Sequence, residues 1–202
     1  MGLTARDSGG GDFSPAPEGT HLATCVAVID LGTQYTEKWK KQQHRVLLGW
    51  ELDTDEKRDD GAPFIVWKRH TVSLHKKAGL RRDLEAWRGR QFTDAELEGF
   101  DLKNILGKPC IIGITHVTRE GTTYTNVASV AALPKRMEAP KATTKTILFD
   151  VDAPDMDVFN GFGDKLKEQI QASAEWKDRD GGGGNRGIDE PPPPTDDDPI
   201  PF

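Results

Sequence analysis

The sequence predicts an all-β domain: a small barrel with a helical insertion between its third and fourth strands, followed by a disordered acidic C-terminal tail. Three observations carry that expectation. Between residues 19 and 133, five segments alternate apolar and polar residues with a period of two, the mark of half-buried strands. One interval, residues 78 to 88, changes to helical spacing. Glycine and proline, 21 and 13 of 202 residues, cluster rather than spread evenly, and mean hydropathy is −0.62. Such a chain fits one ordinary domain with appendages that lie outside its core.

Residues 1–18, with Gly9-Gly10-Gly11, Pro15 and Pro17, read as a flexible leader. His21 to Leu31 (HLATCVAVIDL) places Leu22, Thr24, Val26 and Val28 on one face, and His44 to Asp53 (HRVLLGWELD) does the same with Val46, Leu48, Trp50 and Leu52. After the turn DTDEKRDDGAP, Phe64 to Leu74 makes a third strand, with Phe64, Val66, Val72 and Leu74 toward the core and Ile65, Trp67, Arg69, Thr71 and Ser73 opposite. Ala78, Leu80, Leu84 and Trp87 then fall on one helical stripe. Thr93 to Glu96 has the pattern of a capping box that starts a second short helix. Lys108 to Val117 and Thr123 to Leu133 are the last two strands, joined by a turn at Arg119-Glu120-Gly121. Five strands interrupted by a helix before the fourth are the element order of an OB-fold, a Greek-key barrel, assigned to residues 19–133. Residues 134–176 read as a linker with an acidic-aromatic segment and one helix over KLKEQIQASAEWK. Residues 177–202 read as a disordered Gly/Pro-rich tail.

Charge divides the same way. Residues 150 to 202 hold 14 acids and 5 bases, a net of −9, whereas residues 1 to 149 hold 19 acids and 22 bases, a net of +3. A mildly basic body with an acidic tail points to polyanion binding in the first and protein interaction in the second. No apolar run reaches the roughly 18 residues of a membrane span. MGLTARDSGGGDF lacks the apolar segment of a secretory signal, so a cytoplasmic setting is expected. Two cysteines, Cys25 and Cys110, form neither a disulfide framework nor a zinc motif.

The most specific signal is the C-terminus. Asp196, Asp197 and Asp198 precede Pro199, Ile200, Pro201 and Phe202, so an apolar anchor and a carboxylate stand beside a run of negative charge. This ending resembles the acidic tip of bacterial and phage single-stranded-DNA-binding proteins, which close with Asp-Asp-Asp, a large aliphatic residue, Pro and Phe; Pro199 is an insertion in that pattern. The stretches SLHKKAGLRRDLEAWRGRQFTDAEL and FDLKNILGKPCIIGITH look like those of phage OB-fold strand binders. The resemblance implies a barrel that coats single-stranded DNA in replication, recombination and repair. It implies a tip that recruits host or phage enzymes through Asp196, Asp197, Asp198, Ile200, Pro201 and Phe202, in the cytoplasm of a bacterial host.

The residues make their own case for DNA. Strand binders need cations for phosphates and aromatic faces for bases. Trp67, Lys68 and Arg69 supply both on the third strand, the alternative being that Trp67 packs beneath the helical insertion. Lys38, Trp39, Lys40, Lys41 and Arg45 form a second cluster between strands one and two, to be weighed against a solvated loop. Lys76 and Lys77, with Arg81 and Arg82, form a third, and Tyr124 is a further stacking candidate. Trp50 and Trp87 read as core. No metal motif, nucleophile elbow or phosphate loop is present, and no cofactor is implied. A second reading is a recruitment adaptor that binds DNA weakly or not at all. The acidic-aromatic stretch after residue 150 could also fold back on the basic groove, in which case its deletion would tighten DNA binding. Self-association is left open.

Overall fold

The computed structural model describes residues 15–37, 40–119 and 121–180. Its elements are β1 (Gly19–Thr36), β2 (Lys41–Asp53), β3 (Ile65–Thr71), α1 (Gly79–Arg88), α2 (Asp94–Glu98), a 3-10 turn (Leu102–Ile105), β4 (Pro109–Arg119), β5 (Thr122–Ala131), β6 (Ile147–Phe149), α3 (Met156–Asn160), α4 (Asp164–Gln171) and α5 (Ala174–Asp180). The protein is mostly β, with its first helices between β3 and β4. The strands run in the order β3-β2-β1-β4-β5, antiparallel throughout, and β6 adds to β1 in parallel. β3 and β5 approach one another, but no ladder joins them and the sheet stays open there.

The architecture turns on β1. Its pairing with β2 shifts register between Cys25 and Ala27 and again between Asp30 and Gly32. Each extra residue bends the strand and raises its twist. The bends let one edge of β1 serve two partners: Gly19–Thr24 pair with β4, and Ala27–Ile29 pair with β6.

Two separate cores lie on the opposite faces of β1 and β2. The inner one takes Ala23, Cys25 and Val28 from β1, not the expected face of Leu22, Thr24, Val26 and Val28, because the bulge after Cys25 breaks the alternation; it adds Val46, Leu48, Trp50 and Leu52 of β2 and closes over them with Leu80, Leu84 and Trp87 of α1. The Trp50 and Trp87 rings sit 5.9 Å apart, and Trp87 Nε1 donates to the Pro109 carbonyl at 2.8 Å. The Thr93 capping box is formed as its spacing predicts, with the Glu96 amide on Thr93 Oγ1 and the Thr93 amide on the Glu96 carboxylate.

The outer core is where the structure departs from the sequence reading. Residues 134–176, expected as a linker with one helix, contain β6, α3 and α4 and the start of α5, packed on Ala27, Ile29, Leu31 and Leu47. Phe149, Phe159, Phe162, Ile170 and Trp176 are all buried there, and the Phe159 and Trp176 rings stack at 4.4 Å. At about 1.5–3 kcal/mol per buried large side chain, these five anchors make the segment part of the folded body. The expected single helix is two because Ser173 interrupts it. Its hydroxyl donates to the Ile170 carbonyl at 2.6 Å and accepts the Trp176 amide at 3.3 Å, ending α4 and capping α5.

Candidate nucleic-acid interface

The site is built on the outward column of β3. The ladder sets Ile65 opposite Glu51, Trp67 opposite Gly49, Arg69 opposite Leu47 and Thr71 opposite Arg45. Trp67 is 42% exposed and does not pack beneath the helices. Its ring lies flat against the sheet because residue 49 has no side chain: a Cβ there would stand 2.5 Å from Trp67 Cζ3. One face of the indole is thereby held on β2 while the other is left for a planar partner. Arg69 is exposed beside it and donates from Nη2 to Gln169 Oε1 of α4 at 3.1 Å.

Further along lies Arg45, whose Nη2 donates to Thr36 Oγ1 at 3.0 Å and to Gln43 Oε1 at 3.1 Å. Burial first, and then the neighbouring charge of Arg69, lower its pKa. Lys41 pairs with Thr36 at the end of the β1–β2 hairpin, and Lys40 adopts a φ of 48° in its turn. Lys76 and Lys77 are exposed in the turn that follows β3. The candidates Arg69, Arg45, Lys40, Lys41, Lys76 and Lys77 are therefore drawn from β3 and the turns and hairpin beside its C-terminal end.

Other candidates fall elsewhere. Lys68 is one residue out of phase with Trp67, so it points inward and meets Asp83 Oδ2 of α1 at 2.6 Å; the structure removes it from the outward face. Strand β3 also ends earlier than expected, so Val72, expected in the core, is 42% exposed, whereas Leu74 is partly buried and packs against the inner core as expected. Tyr124 is 45% exposed but lies on β5, toward the β4–β5 hairpin and across the sheet order from β3. Lys38, Trp39 and the tip residues Asp196, Asp197, Asp198, Ile200, Pro201 and Phe202 lie outside the described residues. Tyr35, 58% exposed at the end of the β1–β2 hairpin, was missed; its place beside the Lys38–Lys41 cluster was the available signal.

The rest of the outer face is occupied. Glu51, buried on β2, accepts from Thr143 N at 2.8 Å, Thr143 Oγ1 at 3.0 Å and Thr144 N at 2.7 Å. Burial alone would raise its pKa, and these bonds more than offset it, leaving the carboxyl below its ordinary value. Thr24 Oγ1 donates to the Pro140 carbonyl at 3.0 Å, pinning the same crossing segment. At the far end His44 is bonded to Asp30 at 2.6 Å with Glu175 at 3.6 Å, and Glu175 in turn accepts the amide and hydroxyl of Thr33. The Asp30 bond raises the His44 pKa against the effect of burial. So the C-terminal segment does fold back, chiefly onto the β1 and β2 columns; it reaches the β3 column at Arg69 through Gln169 and leaves Trp67 exposed.

Cys25 and Cys110 are buried, which pushes the Cys25 thiol up to about 12 and raises that of Cys110 as well. Among the described residues no group of three His, Cys, Asp or Glu side chains is placed to hold a metal ion. No helix among the described residues is long and apolar enough to cross a membrane. Compared with known families and curated proteins, the chain matches no family model and no curated sequence.

Proposed function

We propose that this protein binds single-stranded DNA on the outer face of β3, in the manner of phage single-stranded-DNA-binding proteins, and serves DNA replication and recombination. The observation that carries the reading is Trp67: an exposed indole seated flat on Gly49, next to Arg69 on β3, with Arg45 on the same face of neighbouring β2. Bases stack on the free ring face, and the guanidinium groups and the lysines of the hairpin and the β3 turn neutralise phosphates. The sheet belongs to an OB-type barrel. The order β3-β2-β1-β4-β5, with β3 drawing up toward β5 and helices between β3 and β4, supports that assignment. The tip, Asp196 to Phe202, recruits replication and repair enzymes.

The test is an anisotropy titration with a labelled single strand and the matching duplex at two salt concentrations, with tryptophan emission read in parallel. Tight, salt-sensitive binding to the single strand with quenching is expected. Trp67→Ala should weaken it by about 5- to 150-fold, the equivalent of one base stack of about 1–3 kcal/mol. Absence of binding at low salt, or full affinity in Trp67→Ala, overturns the reading and leaves the adaptor role.

A further inference from the structure

We propose that α4 is the second wall of this interface: Lys165 contacts a backbone phosphate of the bound strand, and Gln169 is a positioning residue for Arg69. The proposal rests on the strand-binding reading and adds to it a helix that the sequence reading assigned to a linker.

The register of α4 is set by its apolar side. Leu166 and Ile170 face the outer core, which turns Lys165 and Gln169, four residues apart, along one flank of the helix. Where that flank points is known from Gln169, whose Oε1 accepts from Arg69 Nη2 at 3.1 Å. The same residue's carbonyl accepts Gln34 Nε2 at 2.9 Å, so β1 holds this end of the helix in place. Gln169 is therefore fixed by backbone and presents an oxygen to the one exposed cation adjacent to Trp67 in the β3 column. Held this way, the guanidinium keeps donors for a phosphate while losing less side-chain freedom on binding.

Lys165 lies one turn away on that flank. It is exposed and makes no ion pair with a described residue. Asp164 and Glu168 share the helix and reduce the local field, so the expected contact is one lysine, adjacent to the phosphate that Arg69 binds.

Five variants of the full chain decide it, using the same labelled single strand across a salt series. Lys165→Ala should lower the slope of log affinity against log salt by about 0.7, the value of one phosphate contact on a single strand, with unchanged thermal unfolding. Lys103→Ala, on the 3-10 turn, should leave the slope as it is. Gln169→Ala should weaken binding, and Arg69→Ala/Gln169→Ala should be no weaker than Arg69→Ala alone, because Gln169 acts through Arg69. An unchanged slope in Lys165→Ala, or additive losses in the double variant, while Trp67→Ala still abolishes quenching, overturns this inference and spares the strand-binding reading. Absence of strand binding by the unaltered protein overturns both.

Discussion

The two faces of β1 and β2 carry cores of different origin. The inner core comes from alternation within long strands and is closed by α1, a helix only a few residues downstream of β3. The outer core is supplied by a segment more than a hundred residues from the β1 side chains it covers, anchored by aromatic residues and pinned by polar clasps at Glu51 and His44. The comparison teaches that the second face of this sheet is covered only in part: Ala27, Ile29, Leu31 and Leu47 of β1 and β2 are taken into a core, while Trp67 and Arg69 of β3 stay exposed.

The largest effect that tests this contrast is removal of the outer cover. A chain ending at residue 146 would expose Ala27, Ile29, Leu31 and Leu47, and should aggregate or lose its cooperative unfolding rather than bind DNA more tightly. Trp176→Ala probes the same core in the full chain and should cost about 3–5 kcal/mol by urea denaturation. A soluble, stable, tighter-binding truncation would show that the segment is a removable mask.

Next comes pH, where the two faces respond with opposite sign. His70, buried beneath α1 with Asp83 3.7 Å away, has its pKa lowered from 6.5 to about 4, chiefly by burial. The unfolded chain takes up this proton first, so stability present above pH 6.5 is lost as pH falls toward 4, by up to about 3 kcal/mol. His44 has a raised pKa, chiefly through its bond to Asp30. Its contribution is complete below pH 6.5 and disappears as pH rises through the folded value. Urea melts across pH should show a flatter acid limb in His70→Gln and a flatter neutral-to-alkaline limb in His44→Gln. Identical profiles for both variants would break the contrast.

A smaller effect is expected from Gly49→Ala. The new Cβ must displace the Trp67 ring, so tryptophan emission should shift and strand affinity should fall part of the way toward that of Trp67→Ala, with little change in the inner core. Smallest of all, Ser173→Ala should cost about 1 kcal/mol through loss of the α5 cap, measured by thermal unfolding.

The sequence alone was enough for much that depends on near neighbours, though not for β1, whose bulges break the expected face of Leu22, Thr24, Val26 and Val28. Alternation placed Val46, Leu48, Trp50 and Leu52 inward and Trp67 and Arg69 outward, because a strand's side chains change face at every residue. The same rule, applied at Lys68, would have sent it inward; grouping it with Trp67 by charge was the error. Thr93 and Glu96 could be paired because a capping box lies within one helical turn. Tertiary structure decided the rest. The bulges of β1 and the docking of β6 follow from which distant segment covers the sheet. Gln169 meets Arg69 across a sequence separation of 100 residues, a contact no local pattern encodes. Short-range periodicity assigns each residue a face, and only the packed chain determines which part of that face is left uncovered.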